Sequence, residues 1–325
     1  MSSFKSVLLG FGKIGAGYSD DKCMEKYYPY ATHAQVLTDH SAFDWIGVVE
    51  PSQEKLNSAK MWGVKNVAST LSELERREEV QIAVLATPPE ARIAALDFFP
   101  NLIGVIVEKP LGNTFKESAE FVAACGRRDI AIGVNLFRRY SQAYQDLARH
   151  LTSQIGVPQL AFLTYGNGLK NNGVHMIDLV HMLLGPTKIE QSLFNKASFF
   201  ESPMKNDTNL PFALHLESAV TVLAAPLKFS NYREVGLDIW GSSGRLQLLN
   251  EGLISIFTPN GPNRAMTGQS ELVNDKMEIN LTDLGTAMYD MYDNLANFLN
   301  NGEALCCDGG TALRAEKVIE KLLVD

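Results

Sequence analysis

The chain has 325 residues, 46% of them hydrophobic and 20% charged, with a formal net charge of −8. That length exceeds what a single core usually supports, so two domains are expected. An acidic chain without a block of Lys or Arg argues against nucleic acid or an anionic membrane as the main partner, and for a small molecule. The first element is an apolar run, Val7, Leu8 and Leu9 in FKSVLLGFGKIG, which stops at Gly10; Gly12 and Gly15 then complete a G-x-G-x-x-G spacing. A buried strand ending in a tight glycine turn lets backbone N–H groups approach a pyrophosphate at a helix N-terminus, so this stretch is a dinucleotide-binding candidate.

Residues 16–32, AGYSDDKCMEKYYPYAT, interrupt the helix expected next, through Gly17, Pro29, the pair Asp20 and Asp21, and crowded tyrosines. Helical character resumes at HAQVL, from His33 to Leu37. The run FDWIGVV, Phe43 to Val49, reads as the second strand, with Glu50 as the carboxylate that accepts bonds from ribose hydroxyls. Glu50 lies 40 residues after Gly10, where about 20 is usual, and an insertion at 16–32 accounts for the excess. Such an insertion is either a lid over the cofactor or a surface loop with packed tyrosines.

Alternation then proceeds regularly: a helix at Ser52–Trp62, a strand at Val64–Val67, a helix at Ser72–Arg77, a strand at Ile82–Ala86, a helix at Glu90–Phe99, a strand at Gly104–Val107, a helix at Thr114–Arg127 and a strand at Ile130–Val134. Non-alternating strands separated by helices predict a doubly wound parallel sheet, a Rossmann domain over residues 1–135. Residues 136–325 read as an α+β domain with an open, mainly antiparallel sheet. Its helices are expected at Ser141–Leu151, Val174–Leu184, Thr286–Leu299 and Gly310–Leu323, and its strands include Gln159–Tyr165, His215–Leu223, Arg233–Trp240, Leu246–Leu249 and Ile254–Phe257.

Cys23, Cys125, Cys306 and Cys307 have neither C-x-x-C nor zinc-like spacing, and they read as reduced thiols. The start MSSFKS leads directly into a strand and no apolar run reaches spanning length, so a cytoplasmic protein is expected. Lys109 follows a buried strand and precedes Pro110, at the edge where such sheets bind ligands; a lysine there can hydrogen-bond a substrate oxygen or merely reach solvent. Glu108 either holds that lysine or is a solvated turn carboxylate. His175 opens a helix and is a candidate acid–base group. His175 and His181 differ by about 120° around that helix, which excludes a two-histidine metal face, and no metal is expected. Asp178 reads as a structural carboxylate in the first turn. His33, His40, His150 and His215 carry no partner pattern, and no nucleophile elbow is present.

In order along the chain stand GFGKIG (10–15), VVEPS (48–52), ATPPEAR (86–92), EKPLG (108–112), GVNLFRR (133–139), GVHMIDLVHMLLG (173–185) and IWGSSGRLQL (239–248). With these motifs the chain resembles the Gfo/Idh/MocA family of oxidoreductases, over nearly its whole length. The resemblance implies Lys109 as catalytic lysine and His175 as the histidine that exchanges a proton with the substrate hydroxyl. It implies that Gly10, Phe11, Gly12, Lys13, Ile14 and Gly15 cradle the cofactor. Glu50 would take the ribose, and Thr87, Pro88, Glu108, Lys109 and Asn135 would complete the cofactor site.

The implied activity is oxidation or reduction of a hydroxyl or keto carbon on a sugar, cyclitol or nucleotide sugar with NAD or NADP. A homodimer or homotetramer through the C-terminal sheet is also implied. Glu50 would repel a 2′-phosphate and no arginine follows it, which favours NAD. Asn171 stands where many members carry an aspartate partnering the histidine, and Arg92 where members often have histidine. The Asn171 departure keeps a second reading open, a catalytically silent NAD-binding sensor. The insertion at 16–32 is the expected source of substrate specificity.

Overall fold

The computed structural model describes residues 3–193, 200–203 and 207–324. The chain forms two compact units, Met1–Tyr140 with Gly285–Leu313, and Ser141–Leu284 with Arg314–Asp325. The first unit thus takes back a late segment, which element order alone does not encode.

The first unit is built on β1 (Phe4–Leu9), α1 (Lys22–Glu25), α2 (His33–Asp39), β2 (Phe43–Val49), α3 (Gln53–Met61), β3 (Asn66–Ala68), β4 (Ile82–Leu85), α4 (Arg92–Phe98), β5 (Gly104–Val107), α5 (Phe115–Gly126) and β6 (Ala131–Val134). Its six strands are all parallel in the order β3-β2-β1-β4-β5-β6. This is the doubly wound dinucleotide-binding topology, whose strand order reverses between β1 and β4. Ile82, Ala83, Val84 and Leu85 of β4 are fully buried, as a central strand covered on both faces requires. Each such large side chain contributes about 1.5–3 kcal/mol on burial.

The insertion is spliced into the helix that follows the glycine turn. His33 N–H donates to Ile14 C=O at 3.1 Å and Ala34 N–H to Gly15 C=O at 2.9 Å, so α2 resumes a ladder begun before residue 16. Within the insertion the Tyr30 ring lies 4.8 Å from that of Tyr289, whereas Tyr27 is exposed. The expected helix at Ser72–Arg77 is replaced by two 3-10 turns, Leu71–Glu73 and Arg77–Glu79, with Arg76 at φ 60° between them. Good helix formers are present there, but the segment is too short and exposed to offset the cost of nucleation.

The second unit contains α6 (Gln142–Ile155), β7 (Pro158–Tyr165), α7 (Val174–Leu184), β8 (Thr187–Ser192), β9 (Phe200–Glu201), β10 (Thr208–Asn209), β11 (Phe212–Leu216), β12 (Thr221–Pro226), β13 (Gly236–Gly241), β14 (Gly244–Leu249), β15 (Ile254–Pro262), β16 (Ser270–Leu272) and β17 (Glu278–Leu281). The large sheet runs β16-β15-β14-β13-β7-β12-β11-β8, with β17 on β15. It is mixed: β12 pairs with β7 in parallel, and the other pairs are antiparallel. The run expected as one strand at His215–Leu223 is two, β11 and β12, because the chain reverses through Ala219 at φ 63°. One face of the sheet is core: Ala161, Leu163 and Tyr165 of β7 point into it, beneath α6 and α7. The alternate residues point outward, leaving Phe162, Ile279 and Leu281 exposed.

Two further helices are α8 (Ala287–Asn301), which belongs to the first unit, and α9 (Gly309–Val324), which contributes to both. No helix among the described residues is long and apolar enough to cross a membrane.

Candidate active site

The carboxyl ends of β1, β2, β4, β5 and β6 carry the first group of site residues. Gly10 has φ +92°, and a Cβ there would lie 2.5 Å from Ala86 C=O, so only glycine lets β1 turn out beside β4. A Cβ on Gly15 would lie 2.4 Å from Gly10 C=O, which sets the tightness of the turn. A Cβ on Gly12 would meet nothing within 4 Å. The requirement for glycine at that position is therefore not internal to the fold, and the open side of the loop fits a pyrophosphate lying against the backbone.

Glu50 is buried and holds this loop: its carboxylate accepts Phe11 N–H at 2.7 Å and Ser52 N–H at 3.0 Å. Lys55, which in sequence stands well along the helix, brings its Nζ to 4.0 Å of Glu50. Two buried polar atoms at the same sheet edge lack a hydrogen-bond partner, Thr87 Oγ1 after β4 and Asn135 Oδ1 after β6. Unpaired buried polar atoms are costly; Thr87 follows Ala86 next to the glycine turn and Asn135 lies at the end of β6, three strands from β1 along the same edge, and both fit a polar ligand laid along the carboxyl ends of the strands.

Arg92, whose role the sequence leaves blank, is buried at 2% exposure. Its guanidinium donates to Thr87 C=O at 2.9 Å and to Pro110 C=O at 2.5 Å. It therefore clasps the loop after β4 to the loop after β5, which carries Lys109. Beneath Lys109, Glu108 is not solvated: Oε1 accepts from Asn135 Nδ2 at 2.5 Å and lies 3.0 Å from His33 Nε2. Burial alone would push the Glu108 carboxyl up, but the His33 and Asn135 hydrogen bonds and the nearby Lys109 charge hold it below its ordinary value. His33 Nδ1 lies 2.8 Å from Tyr292 Oη.

Asn171 and His175 lie in the second unit. The chain enters α7 through a π turn, Leu169–Gly173, a distortion frequent at functional sites. Asp207 fixes this entry: its carboxylate accepts Lys170 N–H and Asn171 N–H, each at 2.9 Å. A Cβ on Gly168, at φ +97°, would fall 1.9 Å from Asp207 Oδ2, so the contact requires glycine there. His175 is the second residue of α7 and is half-buried; Asn171 lies four residues before it and is half-buried too. Asp178 is buried in the first part of α7. His181 Nε2 bonds Thr187 Oγ1 at 2.8 Å. Among the described residues no cluster of three metal-ligating side chains is present.

His33, Tyr292 and Asp207 were not singled out by sequence, because each meets its partners across long stretches of chain. All four cysteines are free thiols, and burial pushes the Cys125 thiol up to about 12.

A parallel sheet in this strand order, with an open glycine loop and an acidic residue clamping it, defines a dinucleotide-binding α/β protein. The particular family follows from direct comparison. The family described as "Oxidoreductase family, NAD-binding Rossmann fold" matches residues 7–136, and its C-terminal alpha/beta domain matches residues 165–323. The chain belongs to the Gfo/Idh/MocA oxidoreductase family, and its cofactor is NAD.

No curated protein matches the chain. Solved structures do. The WlbA dehydrogenase of Bordetella pertussis, solved with NADH and UDP-GlcNAcA, is 17% identical over 99% of this chain and 96% of that one, with a TM-score of 0.72. A 3-ketoreductase from Actinomadura kijaniata, in complex with TDP-benzene and NADP, is 14% identical over 98% and 96%, also at 0.72. A super-repressor mutant of Gal80p from Saccharomyces cerevisiae is 16% identical over 99% and 96%, again at 0.72. At these identities the likeness is one of fold.

Proposed function

We propose that the protein is an NAD-dependent oxidoreductase acting on a hydroxyl or keto carbon of a sugar, cyclitol or nucleotide sugar. NAD, when bound, supplies the acceptor for the hydride that leaves the carbinol carbon. Lys109 donates a hydrogen bond to the substrate oxygen and stabilises negative charge developing on it. His175 takes the hydroxyl proton during oxidation and returns it during reduction, in keeping with the near-neutral pKa of an unperturbed imidazole. Asn171 orients the imidazole without the charge that a carboxylate would add, so the burden on Lys109 is greater. The observation that carries this reading is the Lys109 turn itself. It lies at the ligand-binding edge of the sheet, with Arg92 clasping Pro110 and a buried Glu108 beneath.

Glu50 favours NAD over NADP by repelling a 2′-phosphate, although Lys55 at 4.0 Å offsets part of that charge. The insertion at 16–32 selects the substrate, and the outward sheet face with Phe162, Ile279 and Leu281 joins copies of the chain into a dimer or tetramer. Small polyhydroxylated compounds in the cytoplasm are the expected partners. Lys109→Ala is expected to abolish turnover and to retain NADH binding; full activity in that variant would sink the assignment.

A second reading, an NAD-binding sensor without chemistry, is favoured by Asn171 and by the fold likeness to a protein described as a repressor. NADH binding with no hydride transfer across polyols and nucleotide sugars would select it.

A further inference from the structure

Two charged side chains at the end of β2 divide the work of reading the nucleotide. Glu50 stands where a carboxylate meets the ribose hydroxyls, yet both of its oxygens are already engaged by the protein. Oε2 accepts Phe11 N–H at 2.7 Å and Oε1 accepts Ser52 N–H at 3.0 Å, while the Glu50 backbone N–H donates to Ala68 C=O at 3.0 Å. The residue is thus fastened to the glycine turn, to the start of α3 and to β3, and it is buried. Swinging the side chain away would leave Phe11 N–H buried without an acceptor, a loss that buried donors seldom bear. A 2′-phosphate therefore cannot be admitted by moving Glu50, and its negative charge stays in place.

The charge balance at this place is set instead by Lys55. It is the third residue of α3, and its Nζ lies 4.0 Å from Glu50 Oε1. That separation is an ion pair but too long for a hydrogen bond, so the ammonium is not committed to the carboxylate as a donor. The Lys55 side chain is 48% exposed and that of Glu50 only 9%. An incoming anion consequently reaches the cation of the pair before the anion. Ser52, the N-cap of α3, makes no capping hydrogen bond with its side chain, so its hydroxyl is not spent on the helix. The other charged residues of α3 do not compete: Glu54 is exposed and screened by solvent, and Lys60 stands in the last turn.

We propose that Lys55 is the residue that determines nucleotide specificity: with Glu50 fixed as the clamp of the glycine turn, the Lys55 ammonium offsets its charge and pairs with a 2′-phosphate, so that the chain binds NADP as a second, weaker cofactor beside NAD. This rests on NAD as the cofactor of the glycine turn. An acidic residue at the end of the second strand ordinarily excludes NADP; here a single lysine from the first turn of the next helix relaxes the exclusion.

The test is fluorescence titration of wild type and variants with NADH and with NADPH, no substrate being present. Wild type is expected to bind both, NADPH the more weakly. Lys55→Met is expected to widen the ratio of the two dissociation constants by about tenfold or more, the size of one charge-assisted contact. Lys55→Arg, which keeps the charge, holds the wild-type ratio, and Lys60→Met, which removes the same charge from the far end of α3, leaves it unmoved. The proposal is overturned by a wild type that binds NADH and shows no NADPH binding, by an unmoved ratio in Lys55→Met, or by a Lys55→Arg or Lys60→Met that shifts as far as Lys55→Met. A wild type that binds neither nucleotide overturns the cofactor site and the proposal with it. Failure to find hydride transfer would count against the proposed reaction and leave these binding ratios intact.

Discussion

Two alanine substitutions in the glycine turn separate what the fold needs from what the ligand needs. At Gly10 an added Cβ meets Ala86 O at 2.5 Å, Ala86 C at 2.8 Å and Thr87 N at 3.2 Å, all backbone atoms, in a residue at φ +92°. Strain of that kind costs about 3 kcal/mol, which for a domain of this size lowers the melting temperature by about 6–12 °C. At Gly12 the Cβ meets nothing and the backbone lies outside the left-handed region, so Gly12→Ala is expected to be neutral or to stabilise by about 0.4–1 kcal/mol. Its cost falls on the cofactor alone: the methyl occupies the side the pyrophosphate approaches, weakening NADH by at least about tenfold, or about 1.4 kcal/mol. Circular dichroism melts and NADH fluorescence titrations read the two effects. Wild-type NADH affinity in Gly12→Ala would refute the cradle, and a large loss of stability in that variant would refute the open geometry.

Arg92→Met removes two charge-assisted hydrogen bonds to buried carbonyls, Thr87 C=O and Pro110 C=O, and is expected to cost about 3 kcal/mol. Arg92→Lys, which keeps the charge and loses the fork, recovers about half of it, as thermal melts will show. The Glu108 carboxyl is held below its ordinary value of 4.5 in the fold. The stability it contributes is therefore complete above that pH and is lost as pH falls through the lower folded value. Glu108→Gln lacks this component, so the stability gap between variant and wild type should narrow on acidification; a gap independent of pH contradicts the assignment. If the outward sheet face joins copies of the chain as proposed, Phe162→Glu yields a monomer in sedimentation velocity while wild type sediments as a dimer or tetramer; identical sedimentation of the two proteins contradicts that interface.

Much of the first unit was legible because its signals are short-range. A buried run, three spaced glycines, a carboxylate at the end of the second strand and the EKP turn each lie within a few residues, and backbone sterics fix their meaning locally. The strand-to-helix alternation followed for the same reason, except at Ser72–Arg77, where propensity had no packing to support it. The Ala219 reversal was hidden because no Gly, Pro or Asn marks it.

The supporting residues were illegible for a different reason. His33 meets Glu108 and Tyr292 across 75 and 259 residues, and Asp207 meets Asn171 across 36. No periodicity connects such pairs; only the fold does. Arg92 stands out in the sequence only as a departure from the family pattern, and its two carbonyl partners belong to separate loops that only the parallel sheet brings together.

The central claim is hydride transfer at a hydroxyl or keto carbon, and deuterium transfer tests it most directly. NADH deuterated at the transferable position would be incubated with a panel of keto sugars, keto cyclitols and keto nucleotide sugars, using wild type and Lys109→Ala, and the products read by mass spectrometry. The account predicts one deuterium bound to carbon in a reduced product with wild type and none with Lys109→Ala. Tight NADH binding with no deuterium in any product, or equal incorporation by both proteins, would contradict it.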